Sequence, residues 1–393
     1  MRFNKIIYIR YIPLTAKVYK DFYMDEVEKA GIDIEYWDVS ALFFKHSYDQ
    51  EDSSFLTNTI KFDTYDEVEE AIVKVQPLAD KLFVSIMTFE GRVLKLYKMF
   101  TKYNCILAVF GRNMLPLPAQ NSKSIYCSIR NISFEKVKRF LNTRSIIRGK
   151  ENGRIKLYDI MFLGGTEGWK GIGIINENDV SKAEVIKVNS DDYDNFLMLK
   201  GSKRIIDHDY ILFLDEYLPL HPDTLLFGIK NVSEKQYYPE LNKYFDRVEE
   251  QFGMPVIIAA HPKAVRYKNE DFFNGRKVFF EQTSQLTEHS YFVLAHDTTS
   301  INYAISFNKR LHFITSKNIY NEINMVHRNS ANFADFLGCN LQWFDKNNPI
   351  NLIEELPVEN YQKYRNKFQT SCETENKLSK DVFIDFLKQY LAR

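Results

Sequence analysis

Short apolar runs alternate with helix-periodic polar stretches along nearly the whole chain. Lys5-Ile6-Ile7-Tyr8-Ile9-Arg10-Tyr11-Ile12 predicts a first strand, stopped by Pro13. Val18, Phe22, Val27 and Ala30 then predict an amphipathic helix that ends at Gly31. Residues 32–39 alternate as a second strand. A β-α-β opening within forty residues predicts a Rossmann-like half. The alternation continues with a helix over 65–78, a strand over 82–87, a helix over 91–103 and a strand over 105–110. Residues 115–133 read as irregular, and 134–143 as a basic helix. Ile160-Met161-Phe162-Leu163 is a short buried strand that runs into Gly164-Gly165-Thr166-Glu167-Gly168-Trp169. Glycines there allow either a tight turn or a close backbone approach to a ligand.

A second β/α series begins at Tyr210-Ile211-Leu212-Phe213-Leu214. A helix over 238–252 follows, then the most apolar run of the series, Val256-Ile257-Ile258-Ala259-Ala260, which reads as a central strand covered on both faces. It stops at His261-Pro262-Lys263, because proline cannot continue the ladder. Further strands are expected at 277–280, 292–295 and 311–314, and an amphipathic helix at 380–391.

Chemistry gathers at three strand ends of this series, where open α/β sheets bind ligands. Asp215, Glu216, His221 and Asp223 follow the first strand, and a carboxylate or histidine there suits general base work. Successive side chains alternate, so one carboxylate of the Asp215-Glu216 pair is expected to face the reacting group; Asp215 is favoured, with Glu167 as a competing base. His261 and Lys263 follow the central strand. One βα unit later come His296-Asp297-Thr298-Thr299-Ser300, whose hydroxyls open a predicted helix over 301–307, an arrangement suited to an anion. Gly164, Gly165, His221, Asp223 and His296 are the candidates for substrate contacts.

Composition narrows the classes. At 393 residues two domains are expected. Lys+Arg and Asp+Glu are 52 each, so no basic excess argues for nucleic acid. The four cysteines (Cys105, Cys127, Cys339, Cys372) have no C-x-x-C or zinc-finger spacing and read as free thiols of a reducing compartment. No apolar run reaches a membrane span, and the amino terminus lacks a signal-peptide pattern, so the expected location is the cytoplasm, with peripheral association at the cytoplasmic face of the inner membrane left open. The first strand is not followed by G-x-G-x-x-G, which argues against a dinucleotide there. The D-x-D pairs Asp192/Asp194 and Asp207/Asp209 do not follow strands, so no metal is expected.

Strand–His261-Pro262, followed one βα unit later by strand–Thr298-Thr299, resembles bacterial GT-B glycosyltransferases that use CMP-activated sugars, such as sialyltransferases, polysialyltransferases and Kdo transferases. The resemblance covers residues 210–315. It implies two Rossmann-like domains facing a cleft, with His261, Pro262, Lys263, Thr298, Thr299 and Ser300 on the donor nucleotide. It further implies a CMP-sugar as donor substrate, a glycan or glycolipid acceptor, and no cofactor. The acidic Asp/Glu-Asp/Glu-Gly motif of sialyltransferases is absent as such; Thr166-Glu167-Gly168 matches it in part.

The expected organisation is an acceptor-binding domain over 1–200, a nucleotide-sugar domain over 201–375, and a terminal helix over 376–393 that can return to the first domain. The expected activity is metal-independent transfer of a nonulosonic acid-type sugar to a surface glycan. The alternatives are a CDP-glycerol-type polyol-phosphate transferase, a UDP-sugar transferase or 2-epimerase, and a non-catalytic binding module of the same fold.

Overall fold

A computed structural model describes residues 3–44, 58–112, 114–115, 134–222 and 230–392. It contains two parallel sheets. The first is built from β1 (Lys5–Arg10), β2 (Asp33–Asp38), β3 (Thr59–Lys61), β4 (Lys81–Ser85), β5 (Ile106–Gly111), β6 (Ile160–Gly164) and β7 (Glu184–Val188), in the order β3-β2-β1-β4-β5-β6-β7. The second is built from β8 (Ile211–Leu214), β9 (Val256–Ala259), β10 (Val278–Phe279), β11 (Phe292–Ala295), β12 (Arg310–Thr315) and β13 (Asn340–Trp343), in the order β10-β9-β8-β11-β12-β13. Every pairing within both sheets is parallel. Each sheet therefore follows the doubly wound Rossmann order, in which the strand sequence reverses once. Two such units in one chain are the GT-B plan.

The runs are apolar throughout because both faces are covered. In β1, Ile7 and Ile9 enter one core with Trp37, Phe83 and Phe100, while Ile6 and Tyr8 enter another on the opposite face with Leu82 and Val84. In the second sheet Ile211, Phe213, Val256 and Ile258 pack under Tyr237, Leu241, Phe245 and Val248 of the long helix Glu234–Phe252. That helix begins at Glu234, ahead of the expected start at 238, and carries Pro239 inside its first turns. It ends at Gly253, which takes the left-handed conformation with φ of 65°.

The described residues divide into two compact units. One holds the first sheet and takes in the chain from Thr370 onward; the other spans Asp192–Gln369. The terminal helix Ser379–Ala392 belongs to the first unit, where Phe383, Phe386 and Leu387 join the core. The Phe383 ring lies 5.0 Å from Phe162 and 5.3 Å from Phe110, edge-on to both. The first predicted helix is two short ones, Ala16–Asp21 and Met24–Lys29, broken where Tyr23 adopts φ of 58°. Strands β3, β7 and β13 were not foreseen. The irregular segment expected at 115–133 lies, from residue 116 on, outside the described residues, as does Asp223. Among the described residues no helix is long and apolar enough to cross a membrane.

Replacing Phe383 with alanine removes a fully buried ring from the first unit's core. A loss of about 3–5 kcal/mol is expected. Denaturant unfolding followed at Trp37 should show it; a loss below about 1 kcal/mol would mean that the helix contributes little.

Candidate functional site

The reversal of strand order in the second sheet falls between β8 and β11, which pair directly, with Ala295 beside Leu214. On the other side of β8, Leu214 pairs with Ala259 of β9. The three strand ends marked in the sequence are thus side by side, at the crevice where a doubly wound sheet takes its ligand.

Asp215 and Glu216 leave β8 in opposite directions, as strand alternation requires. Asp215 leans toward β9 and is only 4% exposed. Its Oδ2 accepts the Tyr217 amide at 3.0 Å, and its buried Oδ1 has no hydrogen-bond partner. Burial pushes its carboxyl up to about 7, opposed by the amide of Tyr217, the hydroxyl of Tyr267 and the amide of His261. Tyr267 bonds Tyr238 at 2.8 Å, and Tyr217 packs edge-on to Tyr267, so this carboxyl sits among phenol rings rather than at an open edge.

Glu216 leans toward β11 and meets Asp297. Burial raises the Glu216 carboxyl well above its ordinary range, and the neighbouring Asp297 carboxyl raises it further. Glu216 Oε1 is buried without a partner. Asp297 is also raised by burial, with Asn329 Nδ2 donating to its Oδ2 at 2.8 Å. Two carboxyls in this position disfavour each other's ionisation, which adds to the effect of burial on Glu216.

His261 closes the β9 end. Its Nδ1 accepts the Lys263 amide at 3.1 Å, which places the neutral ring's proton on Nε2. The ring of His221 lies 4.9 Å away at 69°. Both histidines are half-buried, while Pro262 and Lys263 are exposed.

The hydroxyl cluster divides its work. Thr298 is buried and its Oγ1 accepts the Ser300 amide at 3.3 Å, bracing the turn. Thr299 is exposed and Ser300 half-buried, without a side-chain cap on the six-residue helix Ile301–Ser306. His296, expected to touch substrate, is fully buried. Its Nδ1 donates to the Ile314 carbonyl at 2.7 Å and its Nε2 accepts from the Tyr237 hydroxyl at 2.9 Å. Burial holds it neutral, lowering it to about 4, so it is a core residue that pins β11 to β12 and the long helix.

Gly164, Gly165 and Glu167 belong to the first unit. A Cβ on Gly164 would lie 3.1 Å from the Ser190 amide, and Gly165 has φ of 70°, so packing and turn geometry each favour glycine here. Glu167 pairs with Lys170 at 2.6 Å. Of the D-x-D residues, Asp192 accepts from Asn302 and Asp209 from Arg204. Among the described residues no group of three metal-ligating side chains is assembled.

Asp297 had no assigned role in the sequence, although it stands one residue beyond a recognisable strand and histidine. Asn329, and Tyr237, Tyr238 and Tyr267 around Asp215, carried no signal, because their proximity depends on helices and loops distant in sequence.

No protein-family model and no curated protein matches the chain. Solved structures match over nearly its full length. The UDP-GlcNAc 2-epimerase from Methanocaldococcus jannaschii is 13% identical with a TM-score of 0.44, covering 99% of this chain and 100% of that one. The wall teichoic acid polymerase TagF is 11% identical with a TM-score of 0.47, covering 99% and 89%. The glycotransferase of kitacinnamycin is 7% identical with a TM-score of 0.46, covering all of both chains.

The raised Asp215 carboxyl makes stability depend on pH. The folded state keeps a proton up to about 7 that the unfolded chain releases near 4, so stability falls as pH rises across that window. One such proton gives a slope of about 1.4 kcal/mol per pH unit. Asp215→Asn should therefore flatten the loss of melting temperature between pH 5 and pH 7; an unchanged slope would mean that Asp215 ionises normally.

Proposed function

We propose that the chain is a glycosyltransferase that moves a nonulosonic acid-type sugar, sialic acid-like or Kdo, from a CMP-activated donor to a hydroxyl of a surface glycan, without a metal. One observation carries this reading: imidazoles and proton-holding carboxyls converge at the strand reversal of the second sheet. A monophosphate leaving group needs its charge balanced as the bond to the anomeric carbon breaks. His261, with Nε2–H as donor and His221 beside it, supplies that, together with Lys263 and the hydroxyls of Thr299 and Ser300. The acceptor hydroxyl must lose a proton as it attacks. The Glu216–Asp297 pair, whose carboxyls are both shifted upward by burial, is suited to take it. Asp215 faces the His261 amide from within the phenol cluster, which suits it to hold the His-Pro turn in place.

CMP should raise the melting temperature more than UDP or GDP does, with EDTA making no difference, because a ligand that binds only the folded state stabilises it by mass action. A larger shift with CDP would favour polyol-phosphate transfer, and a strict need for a divalent ion would contradict the metal-free reading.

His261→Ala should weaken CMP binding about ten- to a hundredfold, the worth of a charge-assisted hydrogen bond. Glu216→Gln and Asp297→Asn should each lower kcat by about 10²–10⁴ while leaving CMP affinity nearly intact, with Asp215→Asn costing less. Loss of turnover only in Glu167→Gln would place the base in the first unit. Nucleotide binding with no transfer to any acceptor would identify a binding module.

A further inference from the structure

A groove of about 520 Å³ on the first unit is walled by Lys98, Arg144, Arg148 and Arg154, with Ser145 and Asn152 between them. Among the described residues no acidic side chain lines it. Several arginines elsewhere among the described residues are matched to carboxylates. Arg276 reaches Asp246 at 2.6 Å and Glu249 at 2.7 Å, Arg266 reaches Glu234 and Glu270, and Arg112 reaches Asp191. Lys98, Arg148 and Arg154 have no such side-chain partner among the described residues.

The local fold assembles this cluster. Arg144 and Arg148 stand one turn apart on the helix Phe134–Glu151, hence on one face. A Cβ on Gly149 would sit 2.4 Å from Ile155 Cδ1, so a larger residue there would have to displace the tip of that side chain. The Ile155 amide bonds the Gly149 carbonyl at 3.1 Å, and Arg154 is thereby carried beside Arg148. Lys98 comes from the neighbouring helix Leu94–Lys102. Arg148 in a last helical turn is favoured by the helix dipole, but that accounts for neither Lys98 nor Arg154.

We propose that this groove binds the carboxylate or phosphate groups of an anionic glycan. Guanidinium forks match both oxyanions in bidentate geometry. The site is concave, and none of the exposed large apolar side chains lines it, so it lacks the anchor with which a surface enters a bilayer. That a glycan carries the charge rests on the transfer reading; the charge of the groove does not.

The test titrates the full chain calorimetrically with tripolyphosphate, tetragalacturonate and the methyl ester of tetragalacturonate. Co-sedimentation with phosphatidylglycerol vesicles forms a parallel arm. Tetragalacturonate should bind and its ester should not. Arg148→Glu and Arg154→Ala should each weaken that binding at least about tenfold, with melting temperature and response to CMP unchanged. Three results would overturn the proposal: neither anion binds, both variants bind tetragalacturonate like the parent, or tripolyphosphate binds and tetragalacturonate does not. Vesicle binding that needs Arg148, without tetragalacturonate binding, would replace it with a membrane site. Tetragalacturonate binding with no CMP-induced shift would instead sink the transfer reading and leave the groove standing.

Discussion

The pairing of β8 with β11 is the constraint on which the site depends. Crossovers between parallel strands are right-handed, so a chain that winds first to one side of β8 and then to the other leaves a crevice where the winding reverses. Here that crevice receives Glu216 from β8 and Asp297 from β11, whose carboxyls meet because the ladder sets Leu214 beside Ala295. The register that buries Ile211 and Phe213 also fixes which way Asp215 and Glu216 point. A slip of one residue would exchange them.

Burying three carboxyls at one sheet edge is costly, and that cost shows in their raised affinity for protons. Burial pushes Asp215 up to about 7, and it raises Glu216 and Asp297 as well. The surrounding core offsets what remains: Tyr237 and Tyr244 of the long helix are fully buried, and His296 stays neutral with both ring nitrogens bonded. The result is a group of acids able to exchange protons near neutral pH, next to the two imidazoles.

Much of the fold was legible because parallel strands covered on both faces have no polar side, and Ile6–Ile9, Leu212–Leu214 and Val256–Ala259 show that directly. β3 and β13 escaped notice because they are outer strands, three and four residues long and only partly buried, without a clean period. The site was legible as strand ends but not as partnerships. His261 and Asp297 could be placed at an edge from the apolar run before each. The placement of Tyr267 against Asp215, the bond from Asn329 to Asp297, and the bond from Tyr237 to His296 arise from contacts across about 30 to 60 residues, which no local pattern encodes.

A crystal structure of the chain grown with CMP tests the central claim most directly. Nucleotide density should lie at the carboxyl ends of β8, β9 and β11, with the phosphate within hydrogen-bond distance of the His261 imidazole and the Glu216–Asp297 pair beside it. Density on the first sheet, or at the amino ends of β8 and β9, would contradict it.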